Sequence, residues 1–232
     1  MKNIKVLIGV PVFQFCEPES MQTIYELKVP SGVDCTLYFQ KGYTHSQTRN
    51  LITKKSLAEK FDYTFFVDGD ILLPPAALTD LLKMNEPIAA GWYIKKIPGK
   101  QIPEIYRKNE NGNFEILTSI PRNEKLEVQG VGFGCVLVNN NVFRAMGKDG
   151  WFEYIYQKNG FICSEDINFC LAAKKKGFIT FVDTNLCVGH IGQALYVPSP
   201  DISMPPPAMP EMIKPLDNFS GNKSKNKGKK NE

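Results

Sequence analysis

Strand-like apolar segments alternate with helix-like segments along most of the chain, and this alternation predicts an α/β protein with a sheet flanked by helices. The 232 residues, of which 43% are hydrophobic and 11% aromatic, are enough for one main domain with a sizeable core. No apolar run approaches the roughly 18 residues that a membrane helix needs. We therefore expect a soluble, or at most peripheral, globular protein.

The elements of the N-terminal half follow from apolar patterning and from helix signals. In chain order they are predicted as a strand at 4–13, a strand at 35–40, a helix at 44–61, a strand at 63–67, a helix at 75–83 and a strand at 88–93. Leu51, Leu57 and Phe61 fall roughly on one face of the first helix. Pro75 suits the first turn of the second helix, where a missing N–H costs nothing.

The second half opens with residues 95–127, which are rich in Lys, Asn, Pro and Glu and predict a long excursion or an edge hairpin without chemistry. The elements predicted after it are a strand at 128–138, a short helix at 142–146, a helix at 164–176 and strands at 179–182 and 186–188. Ser164 is a good N-cap for the longer helix, and Glu165 and Asp166 suit its positive end.

A change of composition after residue 197 predicts a boundary between a domain at 1–197 and an arm with a tail at 198–232. Seven of the 16 prolines lie between 198 and 215, and the last eleven residues carry five lysines and nothing apolar. Such a segment cannot bury a core of its own, so we predict a Pro-rich arm and a basic disordered tail. The tail is either a solubilising terminus or a contact for nucleic acid or an anionic surface.

The cysteines favour a reducing, cytoplasmic localisation. They form no CxxC pair, most lie in apolar runs, and no signal peptide precedes them, which disfavours both disulfides and structural zinc. They are Cys16, Cys35, Cys135, Cys163, Cys170 and Cys187.

Two aspartates, Asp68 and Asp70, follow the apolar strand at 63–67. Alternate residues of an extended segment project to the same side, so both carboxylates can converge on one cation, and Gly69 lets a ligand approach the backbone. Oxygen donors of this kind suit Mg²⁺ or Mn²⁺, which would in turn bind a diphosphate. The structural alternative is that Asp70 caps the next turn and Asp68 merely ends the strand.

Two further positions are candidates for a general base and for a ligand. The Glu165-Asp166 pair at a helix start would hold an ionised carboxylate as a general base, although acidic residues after a serine cap are also ordinary helix chemistry. His190, between glycines in "VGHIG", is either a loop residue or a ligand. The other histidine, His45, is interpreted as a surface residue.

The stretch "GVGFGCVLV", residues 130–138, has glycines that alternate along a strand. They do not open a helix, so a nicotinamide dehydrogenase is disfavoured. Alternate glycines leave one face of the strand bare. That face gives room either for a flat ligand such as a sugar or for close packing of another element.

The order of these motifs resembles the GT-A nucleotide-sugar glycosyltransferases, especially the family 2-like group. The motifs are "PVF", "QTRN", "FVDGD", "AAGWY", "GVGFGCVLV", "SEDINFCLAAKKKGF" and "VGHIG". Each is weak alone, but together they span roughly residues 4–192. The resemblance implies a GT-A fold with a mixed sheet and a Mn²⁺- or Mg²⁺-dependent transfer of sugar from a nucleotide-sugar donor, with UDP-sugars favoured.

The resemblance also implies roles for particular residues. Asp166 would be the catalytic base, with Glu165 the lesser candidate, and the metal would be held by Asp68, Asp70 and His190. The nucleotide-sugar would contact Pro11, Val12, Phe13, Arg49, Asn50, Asp68 and Gly69. The sugar and acceptor pocket would be lined by Trp92, Tyr93, Gly132, Phe133 and Gly134.

The acceptor stays open: it could be a glycan, lipid, protein or nucleic acid. Inversion is the habit of the family 2 group, but some GT-A enzymes retain the anomeric configuration. Two other functions are alternatives to a glycosyltransferase. One is a catalytically silent nucleotide-sugar-binding module of the same fold, and the other is a nucleotidyltransferase, which is disfavoured because an early Gly-rich phosphate loop is absent.

Overall fold

The computed structural model describes residues 3–108, 110, 114–147, 149–156, 162–192 and 195–196. The predicted arm and tail at 198–232 lie outside these residues. The helices are α1 (Pro18–Tyr25), α2 (His45–Ala58), α3 (Ala77–Met84), α4 (Asn140–Met146) and α5 (Glu165–Lys175). The strands are β1 (Ile4–Val12), β2 (Val33–Lys41), β3 (Tyr63–Val67), β4 (Ile71–Leu72), β5 (Ile88–Trp92), β6 (Ile105–Lys108), β7 (Phe114–Ile116), β8 (Lys125–Val128), β9 (Gly130–Val131), β10 (Cys135–Asn139), β11 (Ile155–Tyr156), β12 (Ile162–Cys163), β13 (Thr180–Cys187), β14 (Gly189–Ile191) and β15 (Leu195–Tyr196).

A mixed sheet of seven strands forms the centre of the described part of the chain, in the order β2-β1-β3-β10-β5-β13-β8. β1 pairs in parallel with both β2 and β3, and β5 pairs in parallel with β13. β10 runs antiparallel between β3 and β5. The predicted α/β class with a mixed sheet and flanking helices is confirmed.

The core lies on both faces of this sheet, which explains why β1 and β3 read as continuous apolar runs. Along β1, Val6 and Ile8 face one cluster of buried side chains, and Leu7 faces the other. Gly9 lies under helix α2, where an added Cβ would collide with Ile52. A glycine here therefore lets α2 pack directly on the sheet.

The single strand predicted at 128–138 is wrong. The segment divides into the end of β8, then β9 and β10, which belong to different sheets. β9 pairs with β6 in a small three-stranded sheet, whereas β10 enters the central sheet. The chain changes sheets at Gly132-Phe133-Gly134. The strands predicted at 179–182 and 186–188 are one strand, β13, with an irregularity between Val182 and Cys187.

Helix α1 was not predicted from the sequence, because its buried face consists mostly of small polar residues. Ser20, Thr23 and Ile24 are its buried positions. The Ser20 hydroxyl donates to the carbonyl of Ile71 at 2.6 Å, and the Thr23 hydroxyl accepts from the N–H of Leu73 at 3.1 Å. Because hydroxyls replace the usual apolar stripe, hydrophobic periodicity does not detect the helix.

All six cysteines lie within the described residues and are free thiols. Burial raises the pKa of the Cys135 thiol to about 12, which fits packing and opposes a nucleophilic role. No helix in the described ranges is both long and apolar enough to cross a membrane.

Candidate active site

A cavity of about 750 Å³ opens beyond the carboxyl ends of β1 and β3, where ligands bind in open α/β sheets. Its wall combines residues from the loop after β1, the turn after β3, the end of β5 and the chain around β14. The carboxylates on this wall are Glu17, Asp68, Asp70, Glu104 and Asp166. A concentration of negative charge in one cavity favours a cationic ligand or cofactor.

The Asp68-Gly69-Asp70 turn is held by backbone hydrogen bonds from three other segments. The N–H of Asp68 donates to the carbonyl of Gly134 at 3.1 Å, the N–H of Glu17 donates to Gly69 at 2.7 Å, and the N–H of Ile191 donates to Asp70 at 2.8 Å. A Cβ added at Gly69 would lie only 2.9 Å from the sulfur of Cys16. The glycine is therefore required by the chain itself, and the turn is rigidly positioned.

Arg49 ties Asp68 to Glu165 behind the cavity wall. Its Nη2 lies 2.9 and 3.1 Å from the two carboxylate oxygens of Asp68, and its Nη1 donates to Glu165. The side chains of Arg49 and Glu165 are only 3% and 5% exposed. Burial alone would raise the pKa of Asp68 and is the largest single effect, but the charge and hydrogen bonds of Arg49 together with the attraction of His45 and His190 outweigh it. The pKa of Asp68 therefore lies below its ordinary value.

Asp70 faces a different set of partners, Lys96 and His190. The Lys96 ammonium forms an ion pair with Asp70 Oδ2, and His190 Nε2 lies 3.7 Å from Asp70 Oδ1. The other imidazole nitrogen, Nδ1, lies 2.9 Å from the carbonyl oxygen of Ile94. Because a carbonyl oxygen only accepts, Nδ1 carries the proton and Nε2 keeps its lone pair towards Asp70.

The chemistry of Asp70 and His190 fits a divalent cation. Burial lowers the pKa of His190, which keeps the imidazole neutral, and a backbone carbonyl fixes its orientation, as is usual for a metal-ligating histidine. Two donors 3.7 Å apart can both reach one ion at about 2.1 Å. The described residues hold no group of three His, Cys, Asp or Glu side chains arranged for a metal. Two protein ligands nevertheless suit Mg²⁺, which takes its remaining ligands from phosphates and water.

The adjacent carboxylates Glu165 and Asp166 have separate environments. Glu165 is buried against Arg49, whereas Asp166 lies on the cavity wall. Asp166 Oδ1 accepts from the N–H of Ile167 at 2.7 Å and from the hydroxyl of Ser164. Burial raises the pKa of Asp166, and this effect exceeds the opposing attraction of Arg49. A carboxylate with a raised pKa beside a cavity suits a general base.

Ser164 precedes α5 as expected, but it makes no side-chain cap to the helix backbone. Its hydroxyl donates to Asp166 instead. The serine therefore orients a carboxylate of the cavity, and the helix start is built around that carboxylate.

The residues predicted to contact a nucleotide-sugar divide between the cavity and the core. Pro11 and Phe13 line the cavity, and Phe13 is 55% exposed. Val12 packs against the core. The amide of Asn50 exchanges two hydrogen bonds with the backbone of Phe152, at 2.8 and 3.1 Å. This exchange anchors α2 to the chain before β11.

The residues predicted for a sugar or acceptor pocket divide in the same way. Tyr93 lines the cavity and contacts the edge of the His190 ring, with ring centroids 4.8 Å apart. Trp92 is fully buried and donates from Nε1 to the carbonyl of Thr184 at 3.0 Å. Phe133 is also fully buried, and the Arg49 guanidinium lies 5.6 Å from the centroid of its ring. Phe133 thus packs against the guanidinium that pairs with Asp68 and Glu165.

The alternating glycines are explained by packing around Tyr93. A Cβ at Gly132 would collide with the Tyr93 hydroxyl, and a Cβ at Gly134 would lie 2.9 Å from Ile71 and from the Tyr93 ring. The N–H of Gly134 donates to the Tyr93 hydroxyl at 3.2 Å. Of the two explanations left open by the sequence, this geometry favours close packing of another element.

We expect Gly132→Ala to lower the free energy of unfolding by about 1–3 kcal/mol, the usual cost of overpacking. Chemical denaturation of Gly132→Ala, Tyr93→Phe and the double variant measures the coupling. The double variant should recover part of the loss, because the hydroxyl that meets the new Cβ is gone. Strict additivity of the two changes would contradict the packing explanation.

Sequence reasoning missed four titratable residues of the cavity wall, Lys96, Glu104, Glu17 and His45. The first two belong to the excursion at 95–127, to which no chemistry was assigned. A bridge between Ile94 and Pro103 folds this segment back, and Glu104 then accepts from the Tyr106 hydroxyl at 2.6 Å. Lone lysines and glutamates in a polar segment carry no motif, so only the fold reveals them.

The comparisons with known proteins agree with the architecture. No family model and no curated protein sequence matches the chain. Solved structures do match, and they give this chain the GT-A fold of nucleotide-sugar glycosyltransferases.

Three of these structures show the extent of the similarity. A197 from STIV has a TM-score of 0.57 at 15% identity, over 84% of this chain and 95% of its own. S. aureus TarS 1-349, in complex with UDP-GlcNAc, has a TM-score of 0.52 at 11% identity, over 80% of this chain and 57% of its own. GalNAc-T7 with UDP, GalNAc and Mn²⁺ has a TM-score of 0.54 at 11% identity, over 82% of this chain and 44% of its own. The chain thus spans about half the length of the last two.

Proposed function

We propose that the protein is a metal-dependent glycosyltransferase, which moves a sugar from a nucleoside-diphosphate sugar to an acceptor hydroxyl with inversion. The observation that carries this proposal is the convergence of Asp70, His190 and Asp166 on one cavity at the carboxyl ends of the strands. Such a transfer requires a pair of ligands for the cation and a separate carboxylate that acts as the base.

Asp70 and His190 are the residues proposed to hold Mn²⁺ or Mg²⁺. When bound, the ion supplies positive charge that stabilises the leaving diphosphate. Asp68 stays ionised because Arg49 lowers its pKa, and it is proposed to accept hydrogen bonds from the ribose or to assist at the metal. Arg49 itself is buried, so its contribution is to hold Asp68 in place.

Asp166 is proposed to take the proton from the acceptor hydroxyl. Its Oδ1 is oriented by Ser164 and by the N–H of Ile167, and the raised pKa makes it a stronger base than an exposed aspartate. Attack from the side opposite the leaving diphosphate would invert the anomeric centre.

The donor is proposed to be a UDP-sugar. Two of the similar structures were solved with UDP-GlcNAc or with UDP, which supports this choice. Pro11, near the end of β1, and Phe13, just after the strand, lie on the same cavity wall and are proposed to contact the base. The exposed Phe13 ring offers a stacking surface.

The test is release of the nucleotide from a panel of UDP-, GDP-, CMP- and dTDP-sugars in the presence and absence of Mn²⁺. The nucleotide leaves as the diphosphate from UDP-, GDP- and dTDP-sugars and as CMP from CMP-sugars. Asp70→Ala should abolish Mn²⁺-dependent release, and His190→Ala should weaken Mn²⁺ binding by at least about 10- to 100-fold. Asp80→Ala is a matched control, since Asp80 pairs with Lys83 on the exposed surface of α3. Undiminished turnover by Asp70→Ala would exclude the mechanism.

A catalytically silent binding module is the competing function. The separate environments of Glu165 and Asp166 favour the enzyme. Binding alone does not require a carboxylate with a raised pKa on the cavity wall, as Asp166 has. Binding of a nucleotide-sugar without hydrolysis or transfer, for every donor of the panel, would support the module instead.

A further inference from the structure

Lys96 has a position that the proposed transfer reaction does not require. Its ammonium forms an ion pair with Asp70 Oδ2, while Asp70 Oδ1 faces His190 Nε2. We propose that Lys96 is a built-in competitor of the divalent ion: it neutralises Asp70 when no metal is bound, and the metal must displace it. This inference rests on the proposed function, because it concerns the same metal ligands.

The two aspartates of the turn have basic partners of very different mobility. Arg49 and Asp68 form a pair that is 3% and 18% exposed, and a planar guanidinium there bonds both carboxylate oxygens. Lys96 and Asp70 are 32% and 33% exposed. A single ammonium on a flexible stem, one-third exposed to water, forms a pair of low net stability. Of the two pairs, the one at Asp70 can therefore exchange.

The same short segment positions both the metal ligand and its competitor. The carbonyl of Ile94 orients His190, and Lys96 follows two residues later. The intervening Lys95 turns to another carboxylate, Glu104, at 3.7 Å, and lies over the ring of Tyr106. The two adjacent lysines thus have separate partners, which provides a matched pair for an experiment.

Competition has a quantitative consequence. An exposed or half-exposed ion pair is worth about 0.2–1 kcal/mol, so its loss should tighten metal binding about 1.4- to 5-fold. The effect should shrink at about 1 M salt, since screening already weakens the pair there.

The experiment is calorimetric titration of the full chain with Mn²⁺ alone, without nucleotide, at low and high salt. Lys96→Gln should bind Mn²⁺ about 1.4- to 5-fold more tightly than the wild type at low salt. Lys96→Arg should not, because it keeps a cation beside Asp70. Lys95→Gln removes the same charge one residue away and should change the affinity by less. Thermal unfolding in metal-free buffer checks that each variant is folded.

The outcomes separate this inference from the proposed function. Equal Mn²⁺ affinity of the wild type and Lys96→Gln would overturn the competition and leave the metal-dependent transfer intact. Equal tightening by Lys95→Gln would also overturn it, because a general charge effect would then suffice. Absence of Mn²⁺ binding in every variant would overturn both. Tighter binding by Lys96→Gln, together with no turnover of any donor, would support the competition and oppose the transferase.

Discussion

Replacing Arg49 with methionine should lower the free energy of unfolding by about 3–5 kcal/mol, the range measured when one partner of a buried ion pair is removed. The guanidinium is the shared partner of Asp68 and Glu165, and its loss would leave two carboxylates close together with little water around them. Urea or guanidinium denaturation monitored by fluorescence measures the change.

Two companion variants identify the cause. Lys54→Met removes a cation from the same helix, but its ion pair with Asp149 is 53% and 67% exposed, so we expect a change within about 0.5 kcal/mol. Adding Glu165→Gln to Arg49→Met should restore part of the lost stability, since only one unpaired carboxylate remains. If the double variant is no more stable than Arg49→Met, desolvated charge is not the cause.

The free energy of unfolding should also depend on pH, because Arg49 pairs with the titratable carboxyl of Asp68. The folded-state pKa of Asp68 lies below its ordinary value, so this carboxyl stabilises the fold when the pH is above the unfolded-state pKa. That contribution is lost as the pH falls through the folded-state value. The sign follows from the charge of Arg49, which favours the ionised carboxylate.

The sequence predicted the fold class because strand and helix periodicities are local properties. The order of the motifs then extended the prediction to the GT-A fold. Partners distant in the chain were a different matter: Arg49 and Glu165 are 116 residues apart, and nothing near either residue indicates their ion pair. Arg49 was expected to face a nucleotide, but it is 3% exposed behind the cavity wall.

Adjacent residues were equally hard to separate. Glu165 and Asp166 are both acidic residues in the first turn of a helix, so the sequence could rank them only by resemblance. Their difference arises from the direction in which each side chain leaves the helix. One direction leads to Arg49, and the other leads to the cavity.

Replacing Asp166 with asparagine should lower kcat by about 10²- to 10⁴-fold, the contribution of a well-placed general base, and leave donor affinity unchanged.

The pH dependence gives a sharper test. The base must be ionised to accept a proton, so kcat/KM of the wild type should fall as the pH drops through the pKa of Asp166. Because burial raises that pKa, the fall should begin above the value of about 3.9 for a free aspartate. Asp166→Asn should lose this acid limb, whereas Glu165→Gln should keep it and show a loss of stability instead. An unchanged acid limb in Asp166→Asn would assign the base to another residue.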